Sequence, residues 1–305
     1  MTVTASVGVD VDSLHHYYRI HGLDEEAATN ASWTIGVPRF LDLFAELDMP
    51  ATFYCVAEDL SIEDNVNRVR QLVELGHEVG NHTWRHPYGL TRMSLEDMTR
   101  EVGEGRARLE AACGASVVGF RAPGYNTNRQ LADVVRSTGH IYDTSVFPCA
   151  PYYCSKAAIM GLMRLGGRRS RSILGTPKVL MAPREPYIMS IDEPHRSGSG
   201  GLMQYPVSVV AGLPLIGTAF TALGGAISAS TVGLGCTMRR HLTIEFHAVD
   251  LLSLSDDALD PTLSIQPDLR VPVARKLATF RRLLSIIKER TRVVRLDMLT
   301  RETGE

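Results

Sequence analysis

Short apolar strands alternate with amphipathic helices along most of this 305-residue chain, and that alternation limits the fold more than any other feature. Val3, Ala5, Val7 and Val9 alternate as a strand does, and the strand ends at Asp10 and Asp12. Val37, Phe40, Leu41, Phe44 and Leu47 then recur at helical spacing until Pro50, and residues 51–57 form a second apolar strand. The β-α pattern repeats through a helix on Val66, Val69, Leu72 and Val73, a strand near 77–80, and a helix opening at Ser94-Leu-Glu-Asp97, whose Ser-x-x-Asp spacing is a capping signal. A short strand at 117–120, a helix at 129–138 and a strand or turn at 140–147 follow. Repeated β-α units with right-handed crossovers imply an α/β fold around a parallel sheet, open or closed as a barrel.

The regularity fades over roughly 148–200, a Pro-, Gly-, Arg- and Ser-rich stretch read as an insertion with little strand content. Strand character returns near 187–191 and 202–207 and clearly in His241-Leu-Thr-Ile-Glu-Phe-His247. A helix on Val273, Leu277, Phe280, Leu284 and Ile287 comes next, and 293–296 can close the sheet. No linker cuts the chain, so a single domain over 1–305 is expected. Between Ser197 and Met238 there is no charged residue, with an apolar segment at roughly 201–238. Pro206, Pro214 and six glycines from Gly212 to Gly235 interrupt any 20-residue apolar helix, so a buried helix pair or an apolar channel outweighs a membrane span. A segment resting on a membrane surface is the remaining alternative.

Net charge of -2 gives no general attraction to nucleic acid, and none is expected as a partner. Five cysteines without a CxxC support neither a disulfide framework nor a cysteine zinc site, and fit a reducing compartment. The opening MTVTASVGVDVD has two aspartates where a signal peptide is most apolar, so a cytoplasmic location is expected. Arg164, Arg168, Arg169 and Arg171 could meet phosphate or anionic lipid, although a solvated loop is the simpler reading.

The chemistry-bearing residues fall into a few clusters. His82 and His86, four apart in His-Thr-Trp-Arg-His, would face one way on a helical turn and suit Zn²⁺. Asp10 and Asp12, at i and i+2 of a strand, point to one side at its carboxyl end, where α/β proteins build their sites. One carboxylate could complete a two-histidine, one-aspartate shell while the other serves as general base. His247, at the end of an apolar strand, would stand at the rim of the same sheet as a proton donor to a leaving amine. Arg121, in Arg121-Ala-Pro-Gly-Tyr125, could hold a carboxylate ionised, and a backbone amide of that turn could face an oxyanion. Each has a plain structural explanation too: packing, a solvated strand end, a bonded core histidine.

Together these residues resemble the polysaccharide deacetylases, carbohydrate esterase family 4, which share the NodB homology domain. Asp10-Val-Asp12 is similar to the first motif, with the first aspartate as base and the second as metal ligand. His82 to His86, preceded by Gly-His-Glu-Val-Gly-Asn, is similar to the second, H-[ST]-x-x-H. Arg121 to Tyr125 resembles the third with Gly124 inserted, Tyr142-Asp143-Thr-Ser a faint fourth, and His247 holds the place of the fifth-motif acid. The matches run in order from residue 7 to 250.

The resemblance implies a distorted (β/α) barrel of about seven parallel strands and hydrolysis of an N-acyl group on an amino sugar. It implies one divalent metal, Zn²⁺ first and Co²⁺, Ni²⁺ or Mn²⁺ as alternatives, on Asp12, His82 and His86. Asp10 would be the base, His247 the acid, Arg121 the partner of Asp10, the Tyr125 amide an oxyanion donor, and Asp143 or Asp250 a support of His247. Asp-x-Asp in place of Asp-Asp resembles the cytoplasmic branch with lipid-linked aminoarabinose deformylases and PuuE-type amidohydrolases. That branch raises a lipid-linked sugar at the inner membrane face, peripheral membrane contact and a homo-oligomer as expectations. The alternatives are hydrolysis of a cyclic imide or ureide, and a catalytically silent carbohydrate-binding protein of the same fold.

Overall fold

The computed structural model describes residues 2–25, 28–165 and 173–304, and of 163–165 and 304 the backbone alone. Arg168, Arg169 and Arg171 of the basic cluster lie outside the described residues. In chain order the strands are β1 (Thr4–Val11), β2 (Thr52–Cys55), β3 (Glu78–Asn81), β4 (Gly119–Phe120), β5 (Tyr142–Asp143), β6 (Tyr187–Ile188), β7 (Met203–Gln204), β8 (Val209–Val210), β9 (Leu213–Pro214), β10 (His241–His247) and β11 (Arg292–Val293). By contacts the chain divides into two compact units, Met1–Ala51 with Leu215–Val294, and Thr52–Pro214 with Arg295–Glu305.

In the first unit β1 pairs in parallel with both β10 and β11, and its register sets Gly8 opposite Glu245 and Asp10 opposite His247. A parallel strand covered on both faces needs apolar or small residues throughout, which is why Ala5, Val7, Val9 and Val11 are all buried. The helix Val273–Arg290 buries Val273, Phe280, Leu283, Leu284 and Ile287. The uncharged stretch supplies the helices Gly217–Leu223 and Gly225–Met238. Phe220 joins Phe246 and Phe280 in one aromatic cluster, with ring centroids 4.8 to 6.5 Å apart. The segment therefore builds core, as a buried helix pair would. Among the described residues no helix is long and apolar enough to cross a membrane.

In the second unit β2, β3, β4, β5 and β7 pair in parallel in that order, and β6 adds to β7 antiparallel. Its helices are Glu63–Glu74, Leu95–Cys113, Arg129–Ser137, Ala150–Leu165 and Leu296–Gly304. The capping signal holds: Ser94 Oγ accepts from the Asp97 N–H at 3.1 Å and donates to its carboxylate at 2.7 Å. Leu131, Val134 and Val135 of Arg129–Ser137 pack with Met98, Val102 and Phe120. Among the described residues eight strands have parallel partners, one more than expected, because β11 pairs briefly with β1 while Leu296 already begins a helix. Among its described residues the stretch 148–200 is poor in strand, but it carries the helix Ala150–Leu165, which its weak periodicity concealed.

Candidate active site

The candidate chemistry is divided between the units. In the first, β1 and β10 end together, and their in-register pairing brings the imidazole Nε2 of His247 to 3.9 Å from Asp10 Oδ2. Its Nδ1 lies 3.7 Å from Glu245 Oε1. Asp10, Asp12, Glu245 and Asp250 are all buried. Burial alone would lower the His247 pKa, but the carboxylates of Glu245, Asp10, Asp12 and Asp250 outweigh it and lift the imidazole to about 9. A histidine so placed holds its proton at neutral pH, the state a general acid requires.

Asp250 caps the turn Ala248–Leu251 by accepting from the His247 backbone N–H at 2.7 Å, and burial raises its carboxyl to about 6 against the opposing His247 charge. The close fit of Gly217 makes room for that carboxylate, since a Cβ there would stand 2.0 Å from Asp250 Oδ2. The role sequence reasoning missed is that of Glu245. Glu-x-His on a strand puts both side chains on one face, and that period-2 signal was available.

In the second unit the two metal-type histidines are not on a helix. Residues 82–86 form a loop leaving β3, with Thr83 at φ 73° and His86 at φ 56°. The helical-turn reading is therefore corrected: left-handed backbone folds the segment back and brings the two imidazoles to a centroid separation of 4.9 Å. Short hydrogen bonds fix the conformation. Asn81 Oδ1 accepts from the Thr83 N–H at 2.9 Å, and Thr83 Oγ1 accepts from the His86 N–H at 3.0 Å. The loop lies on the helix Leu95–Cys113 at Gly105, where a Cβ would stand 2.6 Å from Asn81 Oδ1 and 2.8 Å from the Thr83 carbonyl carbon.

His82 Nδ1 is 2.7 Å from the Arg121 carbonyl, to which it donates, leaving Nε2 as the ligating nitrogen. A metal-binding histidine is ordinarily oriented in this way, and with His86 beside it the donor set fits a borderline cation such as Zn²⁺. Arg121 is fully buried, its Nε donating to Thr144 Oγ1 at 2.8 Å and its guanidinium lying 4.1 Å over the Tyr54 ring. The Ala122 N–H donates to Ser145 Oγ at 2.8 Å, and Ser145 Oγ donates in turn to Asp143 Oδ2 at 2.7 Å.

Asp143 thus supports the loop that carries the Arg121 carbonyl. Burial raises its carboxyl to about 6, against the Ser145 hydrogen bonds and the Arg121 charge. Tyr125 has φ 59° directly after Gly124 at 68°. Its N–H donates to the Ala122 carbonyl at 3.2 Å, so it can face an oxyanion only if that turn opens. Sequence reasoning missed Asn81, Ser145 and Tyr54, whose roles depend on loop and cross-strand contacts that no spacing rule encodes.

Residues 30–142 match the family model for polysaccharide deacetylase, the family that the motifs resemble. A peptidoglycan deacetylase of Helicobacter pylori is 27% identical over 160 residues, covering 50% of this chain and 53% of that protein. A chitooligosaccharide deacetylase of Sinorhizobium fredii is 39% identical over 87 residues, 28% of this chain and 39% of that one. The chain thus spans about half or less of the length of these curated relatives. A solved Mycobacterium smegmatis structure, provisionally described as a polysaccharide deacetylase, superposes with a TM-score of 0.61 over 99% of this chain and 90% of that one, at 17% identity. The structure of PuuE allantoinase gives 0.58 over 98% and 89%, at 15% identity. These likenesses establish the fold as the distorted, parallel-rich α/β type expected.

Proposed function

We propose that this chain is a metal-dependent hydrolase of the C–N bond in an N-acyl group, acetyl or formyl, on an amino sugar, its two units working as one catalytic domain. The observation that carries the reading is the orientation of His82, whose Nδ1 is committed to the Arg121 carbonyl beside a second imidazole. Asp12, His82 and His86 would hold one divalent ion, Zn²⁺ first among those a nitrogen and oxygen donor set accepts. Such an ion, when bound, polarises the amide carbonyl and acidifies a water.

The remaining work falls to the chain's own side chains. Asp10 takes the proton of the attacking water, and His247, kept protonated by its carboxylate neighbours, returns one to the departing nitrogen. On the motif correspondence Arg121 is the partner of Asp10. Asp143 acts as a positioning residue through Ser145 and Ala122 on the carbonyl that orients His82.

The finer reading is a lipid-linked sugar met at the cytoplasmic face of the membrane, supported by the uncharged stretch and the Asp-x-Asp motif. Failure of the full chain to float with anionic lipid vesicles would reject that membrane contact. Self-association, by analogy with the PuuE-type branch, is tested by sedimentation.

Elemental analysis together with a substrate panel tests the main reading. Wild type should carry about one ion per chain and release acetate or formate from N-acyl amino sugars, and His82→Ala and Asp12→Ala should lose both properties. A metal-free wild type that cannot be reconstituted would sink the reading in favour of a silent binding protein. Turnover confined to cyclic imides or ureides would replace the sugar with a ring amide.

A further inference from the structure

The second unit contains a cavity that the proposed chemistry does not use. It lies between the Gly124–Thr127 loop, Phe147, the helix Ala150–Leu165 and residues 174–179, with His195 also in its wall. Its space is about 30 Å³, and its aromatic side is formed by Tyr125, Phe147 and Tyr152, with ring centroids 4.7 to 5.8 Å apart. At roughly 10–15 Å³ for each water-sized occupant, two or three such groups fit. A sugar ring does not, whereas a carboxylate or the oxygens of a phosphate do.

Two polar residues line this space. Lys156, half-buried among the rings, gives one hydrogen bond to the Gly124 carbonyl at 3.2 Å, and among the described residues no carboxylate lies within ion-pair distance of it. Burial pulls its ammonium down to about 8, the cost of a cation desolvated without a counter-ion. His195, 4% exposed, is oriented through Nδ1 by Glu193 Oε1 at 2.8 Å, while its Nε2 has no protein partner among the described residues. Glu193 is held in turn by Lys178, and that contact, with the His195 bond, keeps its carboxyl near 2, so the carboxylate orienting His195 stays ionised. With Nδ1 donating to Glu193, His195 Nε2 is an acceptor, so the charge that favours an anion is that of Lys156: an ammonium lacking a carboxylate, in an aromatic-walled space of this size, fits a small anion better than a neutral group.

We infer that this cavity is an anion subsite that receives a carboxylate or phosphate substituent borne by the N-acyl substrate, bound by Lys156 Nζ. The identity of the molecule bearing the anion rests on the functional reading above; the anion site itself does not. Tyr125 ties the subsite to the loop that presents Arg121, so a substituent held there would fix the placement of the amide.

Isothermal titration of inorganic phosphate, and separately of acetate, into the full chain at constant ionic strength tests the site. Wild type should bind one of the two. Lys156→Met should weaken that binding by roughly tenfold or more, Lys156→Arg should retain most of it, and thermal melts should show both variants folded. Identical titrations for wild type and Lys156→Met, or no binding of either anion, would overturn the proposal. Steady-state kinetics on a neutral N-acetyl amino sugar, its phosphate monoester and a carboxylate-bearing counterpart supply the second arm. The Lys156→Met loss should fall on KM and be roughly tenfold greater for the anionic sugar that matches the tighter anion; equal losses on all three would overturn the proposal. A chain that cleaves no N-acyl sugar yet binds phosphate or acetate through Lys156 would refute the functional reading and support the subsite.

Discussion

The candidate residues of the two units are held by opposite means. In the first unit a histidine is held by strand register among four carboxylates, and its protonation follows from summed charge. In the second, two histidines sit on a loop bent by left-handed residues, and hydrogen bonds to Asn81, Thr83 and the Arg121 carbonyl aim them. The first half depends on which residues face each other along a regular period, the second on local backbone geometry. Electrostatic changes should therefore damage one half, and changes of shape the other.

The largest expected effect comes from removing the base. Asp10→Asn should lower kcat by about 10²–10⁴ while leaving metal content intact, as steady-state kinetics with elemental analysis would read. A variant retaining full turnover would remove Asp10 from that role. Next is Gly105→Ala, which changes no charge. The added methyl must displace the Thr83 backbone, so a stability loss of about 1–3 kcal/mol is expected despite the better helix propensity of alanine. Thermal melts and metal titration should show the His82 loop weakened; an unchanged melting point and affinity would mean that the loop is not seated on Gly105 as described.

Ser145→Ala removes the link between Asp143 and the Ala122 N–H, and a drop of about 10–100-fold in metal affinity is expected by competition with a chelator. An unaltered affinity would confine Asp143 to local packing. Glu245→Gln acts on the other half. Taking away one carboxylate that raises His247 lowers its pKa, so the alkaline limb of the activity profile should move down by about one unit. A histidine raised above its unfolded value stabilises fully below about 6.5 and loses that contribution as pH rises through about 9, so the same variant should flatten stability over that window.

The smallest effect is the pH response of Glu78, which lies outside both halves. It accepts from Thr52 and Tyr142, and burial together with Asp297 raises its carboxyl to about 7. A raised acid is protonated when folded over a range where the unfolded chain has already ionised, so its contribution declines from about 4.5 to 7 as pH rises. Glu78→Gln should remove that decline in denaturant titrations across the range, and a slope equal to that of wild type would show that Glu78 is ionised throughout.

The same contrast explains what the sequence disclosed. Strand alternation put Asp10 and Asp12 on one side and set His247 at a strand end, and the register sets Asp10 opposite His247. The Ser94 cap and the helix on Leu131, Val134 and Val135 were equally legible, because each is a local rule obeyed locally. The His82 to His86 spacing pointed to the right residues for the wrong reason, since helical periodicity and a left-handed bend both bring residues four apart together. Glu245 was readable from the two-residue strand period. Asn81, Ser145 and Tyr54 were not, because the first acts through the bend of the loop that follows it and the other two through partners far away in sequence.

The register of β1 also has a temporal side. Asp10 and His247 face each other across neighbouring strands although 237 residues separate them along the chain. At a ribosomal pace of roughly 5–20 residues per second, the amino-terminal strand waits about 10–50 s for its acidic rim to meet the imidazole. Throughout that interval the edge of β1 that β10 comes to cover has no partner, so the dependence of yield on chaperones and growth temperature should be set more by this delay than by the stability of the finished molecule.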